Sequence, residues 1–214
     1  MDEEPDGTIN LMESSLAETT AIDFRAFAFI ITLAAVVNGL GIVRWLTGFA
    51  EYLRQKDSLD VKFYWVFNLA AGFQFMLHIL LWWTLWSIRD SSSINFLTYL
   101  YLLAGPVLLY LGTTLLNPSM EGNSVDLRAH LQAVRRPYST ILSLLWVWAI
   151  FASPIFRGFF APTLPLLVLF LVAALAQRLS DRPGIMMAAT LLNCLVFTTF
   201  VAIYAINLGA IGTQ

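Results

Sequence analysis

Charge is scarce in this chain. Of its 214 residues 12% are charged and 58% are hydrophobic, about half the charged share of a soluble domain, which excludes an ordinary soluble protein. The net charge of −2 gives no basic surface for nucleic acid. There is a single cysteine, Cys194, so no intrachain disulfide and no multi-cysteine metal site can form. Histidine is almost as rare: His78 lies in an apolar segment and His130 in a polar one. Apart from Glu51 in the amphipathic end of the first, the apolar segments hold no Asp or Glu, whereas zinc needs three or four ligands and a bis-histidine haem a second membrane histidine. Carboxylate pairs for acid–base work, a glycine-rich phosphate loop, a nucleophile elbow and a potassium-filter stretch are all missing. Catalysis is disfavoured, no cofactor or metal is expected, and the first 25 or so residues carry neither the basic region nor the cleavage site of a signal peptide.

What the chain has is long apolar runs divided by short charged loops, the pattern of an all-α integral membrane bundle rather than a barrel. Residues 1–23 hold seven acidic side chains and too few apolar ones for a core, so they are expected to form an acidic extracytoplasmic tail. Six segments then follow within residues 24–210: 24–54, 61–89, 94–116, 138–160, 163–179 and 185–208. Residues 117–137 are the longest internal polar stretch. Asn117-Pro118 ends a helix, and Ser124 or Asp126 is placed to cap a short surface-lying connector through Arg136.

Six crossings put both termini on one side. The loops after segments one, three and five, with their helix ends, carry Arg44, Arg54, Lys56, Lys62, Arg128, Arg135, Arg136, Arg178 and Arg182; the opposite side carries Arg25, Arg89 and Arg157. Nine basic residues against three predicts a cytoplasmic face for the odd-numbered loops, and thus an N-out, C-out bundle.

The second segment, VKFYWVFNLAAGFQFMLHILLWWTLWSIR, is the one the bundle is expected to be organised around. Trp65 at one end and Trp82, Trp83 and Trp86 at the other mark two interfaces. Between them stand Asn68, Gln74 and His78, polar groups that hydrocarbon penalises. Gln74 and His78 are four apart and share a face; Asn68 lies roughly 80° from His78 on the same half of the helix. With Asn193 of segment six, these residues form a candidate polar core or pathway. The bland alternative is hydrogen bonding between helices, with His78 joined to Gln74 or to a neighbouring helix.

Other residues have structural readings. Ala34, Ala35, Asn38 and Gly41 fall together on the first helix and permit close approach of another. Gly105-Pro106 and Pro154 mark kinks or hinges. Arg44 and Arg157 are placed to snorkel to the interface or to meet a lipid phosphate or anion. His130, beside Arg128 and Arg135, reads as solvated, and Cys194 as an apolar filler.

The runs GLGIVRWLTGFAEYLR, FYWVF and LLAGPVLLYL resemble those of small multi-spanning proteins of bacterial inner membranes. That resemblance implies a location and no particular activity. The expectation is therefore a channel or transporter for an ion or small molecule, its path near His78 and possible to complete by homo-oligomerisation. The alternative is a non-transporting scaffold, sensor or accessory subunit with a membrane partner. An enzyme working at the membrane interface comes third.

Overall fold

The computed structural model describes residues 6–55, 60–86, 95–119 and 124–205; it does not describe the side chains of residues 6–30, 86, 157 and 205. The described chain is nearly all helix. α1 spans Asp6–Gln55, β1 Asp60–Lys62, α2 Trp65–Trp86, α3 Phe96–Leu116, β2 Ser124–Asp126, α4 Leu127–Arg157, α5 Leu164–Leu179 and α6 Pro183–Phe200, and α6 runs on into a π turn, Val201–Ala205. Among the described residues five stretches are long and apolar enough to cross a membrane: Ile31–Gln55, Trp65–Leu85, Phe96–Leu116, Leu127–Phe156 and Pro183–Tyr204. α5, with 16 residues, is about 24 Å long at 1.5 Å per residue.

The bundle is apolar on its outside. Leu33, Val36, Leu40 and Val43 on α1, and Ile79, Trp82 and Trp83 on α2, are all more than 40% exposed. Polar side chains such as Asn38, Gln74, His78 and Thr113 are buried. This is the distribution expected where the solvent is hydrocarbon and a polar group must find its partner inside the protein.

The helices follow one another around the bundle as α1, α3, α4, α5, α6, and α2 packs against α1, α3, α4 and α6. The segment singled out by its polar residues is thus the hub of the packing. The loops after α1, α3 and α5 lie at one end. There β1 and β2 pair in parallel, Asp60 with Ser124 and Lys62 with Asp126, and Arg135 of α4 bonds Ser180 and Asp181 in the α5–α6 turn. At the other end Tyr204 donates to the carbonyl of Pro162, 3.3 Å away. α5 therefore runs antiparallel to α4 and α6, with its two ends at opposite ends of the bundle.

The acidic segment is helical in its backbone from Asp6 and continues into α1 without a break. One expectation is corrected here. Residues 127–136 do not form a separate connector: they are the first turns of α4, which continues through Pro137 for 31 residues. The tryptophans also divide. Trp65, Trp82 and Trp83 face outward, but Trp45 donates to the carbonyl of Ala71, Trp148 to that of Tyr101, and Trp146 is buried against Phe170. The side chain of Trp86 lies outside the described residues.

The caps fit the sequence. Asp126 accepts from the backbone N–H groups of Arg128 and Ala129, both at 2.9 Å, supplying partners to donors that a helix start leaves unmet. Those bonds, that with Ala129 foremost, and the nearby Lys62 and Arg128 hold the Asp126 carboxyl below its ordinary pKa. α4 ends at Gly158, whose φ of 76° suits glycine.

Candidate polar core

Close packing of α1 against its neighbours begins with small residues. Ala34, Asn38, Gly41, Trp45 and Gly48 recur every three or four positions and so form one stripe. A β-carbon on Gly41 would strike the imidazole of His78, and one on Gly48 would lie 2.7 Å from the Asn117 amide. Asn117 in turn donates to the carbonyl of Arg44 at 2.7 Å. A β-carbon on Gly39, two residues before Gly41, would meet open space.

The stripe brings Asn38 to His78. Asn38 Nδ2 donates to the carbonyl of His78 at 3.1 Å, which leaves Asn38 Oδ1 as the acceptor facing His78 Nδ1 at 2.7 Å. The imidazole proton therefore sits on Nδ1. Nε2 is then an acceptor, and it faces the Thr113 hydroxyl at 2.8 Å. Thr113 Oγ1 accepts in its turn from Gln74 Nε2, 3.3 Å away, and the same amide donates to the carbonyl of Leu109 at 3.0 Å. Gln74 Oε1, the remaining face of that amide, accepts from Tyr138 Oη at 3.1 Å. The result is one directional chain, Tyr138 to Gln74 to Thr113 to His78 to Asn38, linking α4, α2, α3 and α1. Asn38, Gln74, His78 and Thr113 are no more than 1% exposed.

Beyond Tyr138 lies a small cavity of about 10 Å³ between α2, α4, α5 and α6. Arg135, Gln177, Thr190 and Asn193 line it with Tyr138. Gln177 donates to Thr190 at 3.3 Å, but Asn193 Oδ1 and Arg135 Nε, both buried, have no partner among the described residues. Arg135 stands toward the loop end, with its terminal nitrogens on Ser180 and Asp181; Arg136 also reaches Asp181, at 3.3 Å. The hydrogen bond and charge of Arg135, then the charge of Arg136, hold the exposed Asp181 carboxyl below its ordinary pKa. On the far side the bundle is filled by rings. Trp146 stacks on Phe170 with centroids 4.1 Å apart, and Phe73 touches Trp146, Phe170 and Phe197.

Of the four residues expected in a polar core, the structure brings Gln74 and His78 into one network and sets Asn193 across the cavity from it. Asn68 is corrected: it is exposed on the outer side of α2 and makes no part of the core. His78 bonds Asn38 and Thr113 rather than Gln74. His130 is half-buried rather than free in solvent, its Nε2 lying 3.1 Å from the carbonyl of Leu116 at the end of α3. Gly105 has a packing role, since a β-carbon there would come within 2.6 Å of the Trp148 ring. Pro106 is buried within an unbroken α3, and Pro154 stands in the last turn of α4. Arg44 is exposed, and the side chain of Arg157 lies outside the described residues.

Thr113, Arg135, Tyr138, Gln177 and Thr190 joined the polar interior without having been singled out. Gln177 carried a usable signal, being an amide inside an apolar segment. Threonine and tyrosine carry none, because their hydroxyls are common in membrane helices, bonded to the preceding turn or placed at interfaces. Among the described residues no group of three or more His, Cys, Asp or Glu side chains is placed to hold a metal. No protein-family model, curated protein or solved structure matches this chain.

Proposed function

We propose that this chain is a six-crossing protein of a bacterial inner membrane, N-out and C-out, that works as a non-transporting scaffold or accessory subunit for a membrane partner. The observation that carries the reading is the complete use of the polar face of α2. Gln74 and His78 spend their hydrogen bonds on α1, α3 and α4, and the ring cluster of Phe73, Trp146, Phe170 and Phe197 fills the bundle beyond the cavity. A polar residue that lines a path keeps a face for water or an ion, whereas these keep theirs for other helices. The short α5, antiparallel between α4 and α6 with its ends at opposite ends of the bundle, supports a sixth crossing. The bias of basic residues toward the loops after α1, α3 and α5 supports the orientation. A partner would meet that basic face, where Arg44 and Arg128 are exposed but Arg135 is committed to the α5–α6 turn.

One observation favours the second reading, passage of a small molecule or ion. The polar groups continue from the basic end through Arg135, the cavity and Tyr138 to Asn38, so half of a path is lined. Reconstitution separates the two. Purified protein in proteoliposomes is expected to pass protons, alkali cations, halides and glycerol no faster than protein-free vesicles. Flux above that level, lost in His78→Ala or Asn193→Ala while those variants stay folded, would overturn the scaffold reading in favour of passage.

A further inference from the structure

We propose that the cavity between α2, α4, α5 and α6 is a binding site for one water molecule, which joins Arg135 and Asn193 to the His78 network. This inference is independent of whether the chain is a scaffold or a transporter. Two buried polar atoms at this cavity have no partner among the described residues, and they are complementary: Arg135 Nε–H is a donor and Asn193 Oδ1 an acceptor. Asn193 is 2% exposed and Arg135 8%. Buried polar groups in folded proteins are nearly always paired, with protein or with ordered water.

The chemistry selects the ligand. An anion would meet the carbonyl oxygen of Asn193, and the guanidinium of Arg135 is already neutralised by Asp181. A cation would meet that guanidinium. A neutral molecule able both to accept from Arg135 Nε–H and to donate to Asn193 Oδ1 suits the pair, and a volume of about 10 Å³ is near the minimum for a single water. Its second O–H has an acceptor in Tyr138 Oη, which lines the same cavity and keeps its lone pairs after donating to Gln74. Three hydrogen bonds are typical for a buried water. With it in place, hydrogen bonding is continuous from the Asp181 carboxylate through Arg135, water, Tyr138, Gln74, Thr113 and His78 to Asn38, and it touches every helix except α5 among those that enclose the core.

Radiolytic hydroxyl-radical footprinting of the full chain in nanodiscs tests this, because radicals formed from a bound water oxidise the side chains beside it. Met186 lines the cavity and is 4% exposed, whereas Met187 and Met76 are 39% and 41% exposed on the apolar outside. The expected result is oxidation of Met186 several-fold faster than of Met187 or Met76, reversing the order of their exposure. In Asn193→Leu, which removes the acceptor and fills the space, the Met186 rate is expected to fall several-fold while that of Met76 holds. Wild-type Met186 that reacts no faster than Met187 would overturn the proposal without any variant. So would an unchanged Met186 rate in a folded Asn193→Leu protein.

Discussion

Gly41 and Gly39 are two residues apart on α1, and the same substitution is expected to act on them in opposite directions. Alanine in place of glycine in a helix interior is ordinarily favourable by about 0.8–1.0 kcal/mol. At Gly39 nothing opposes that gain, since the new β-carbon meets open space. At Gly41 the β-carbon overlaps the imidazole of His78, so the ring must move. Its bonds to Asn38 and Thr113, at roughly 0.6 kcal/mol each for interhelical bonds in membranes, are then lost. Forcing a group into a packed interior adds about 1–3 kcal/mol. Setting the helix gain against these terms leaves Gly41→Ala destabilised by about 1–3 kcal/mol, and the gap from Gly39→Ala is about 2 kcal/mol or more. Reversible unfolding in mixed detergent micelles, followed by tryptophan fluorescence, measures the difference. Removing the obstructing ring supplies a control: Gly41→Ala is expected to cost less in a His78→Ala background than alone, a coupling that a double-mutant cycle isolates. Equal stability of the two glycine variants would refute the packing described for His78.

Three further outcomes are expected. Thr113→Val keeps the shape but removes the link between Gln74 and His78, and should destabilise by about 0.6–1.7 kcal/mol per lost bond in the same unfolding assay. Gly105→Ala presses on Trp148 and should change the near-ultraviolet circular dichroism of the tryptophans while lowering stability by about 1–3 kcal/mol. The Asp126 and Asp181 carboxyls have pKa values below the ordinary 3.8 in the folded chain, so they bind protons less readily folded than unfolded. Their stabilising contribution is full above that value and lost as pH falls through the lower folded values. Thermal midpoints should therefore drop as pH falls below the ordinary carboxylate value, and less steeply in an Asp126→Asn, Asp181→Asn double variant; an unchanged slope would contradict the assignment.

The hub role of α2 was legible in the sequence because hydrocarbon makes Gln74 and His78 conspicuous and their four-residue spacing puts them on one face. The stripe through Ala34, Asn38 and Gly41 was legible for a similar reason: small residues at helical spacing leave room for a neighbour. Asn68 misled because 80° on a helical wheel is wide enough to separate a lipid-facing side chain from a buried one, and only the neighbours decide where the boundary falls. The continuity of α4 was hidden by Arg136-Pro137, since the residue before a proline usually avoids helix. Packing overrides that preference: Leu127, Leu131, Arg135, Tyr138 and Leu142 form one buried stripe across the proline. The partners of His78 could not be read at all. They sit 40 residues before it and 35 after, and nothing local to Thr113 or Tyr138 distinguishes them from other hydroxyls.

The central claim is that the polar face of α2 is committed to neighbouring helices in one fixed direction of hydrogen bonding, and the tautomer of His78 reports on it most directly. Nitrogen-15 solid-state NMR of histidine-labelled protein in bilayers, with His130→Gln to leave one histidine signal, is the measurement. The predicted spectrum shows the proton on Nδ1 and a bare, hydrogen-bonded Nε2, with the Nδ1 proton slow to exchange in deuterated water. A proton on Nε2, or rapid exchange of the ring proton with solvent, would contradict the account and return His78 to a water-filled path.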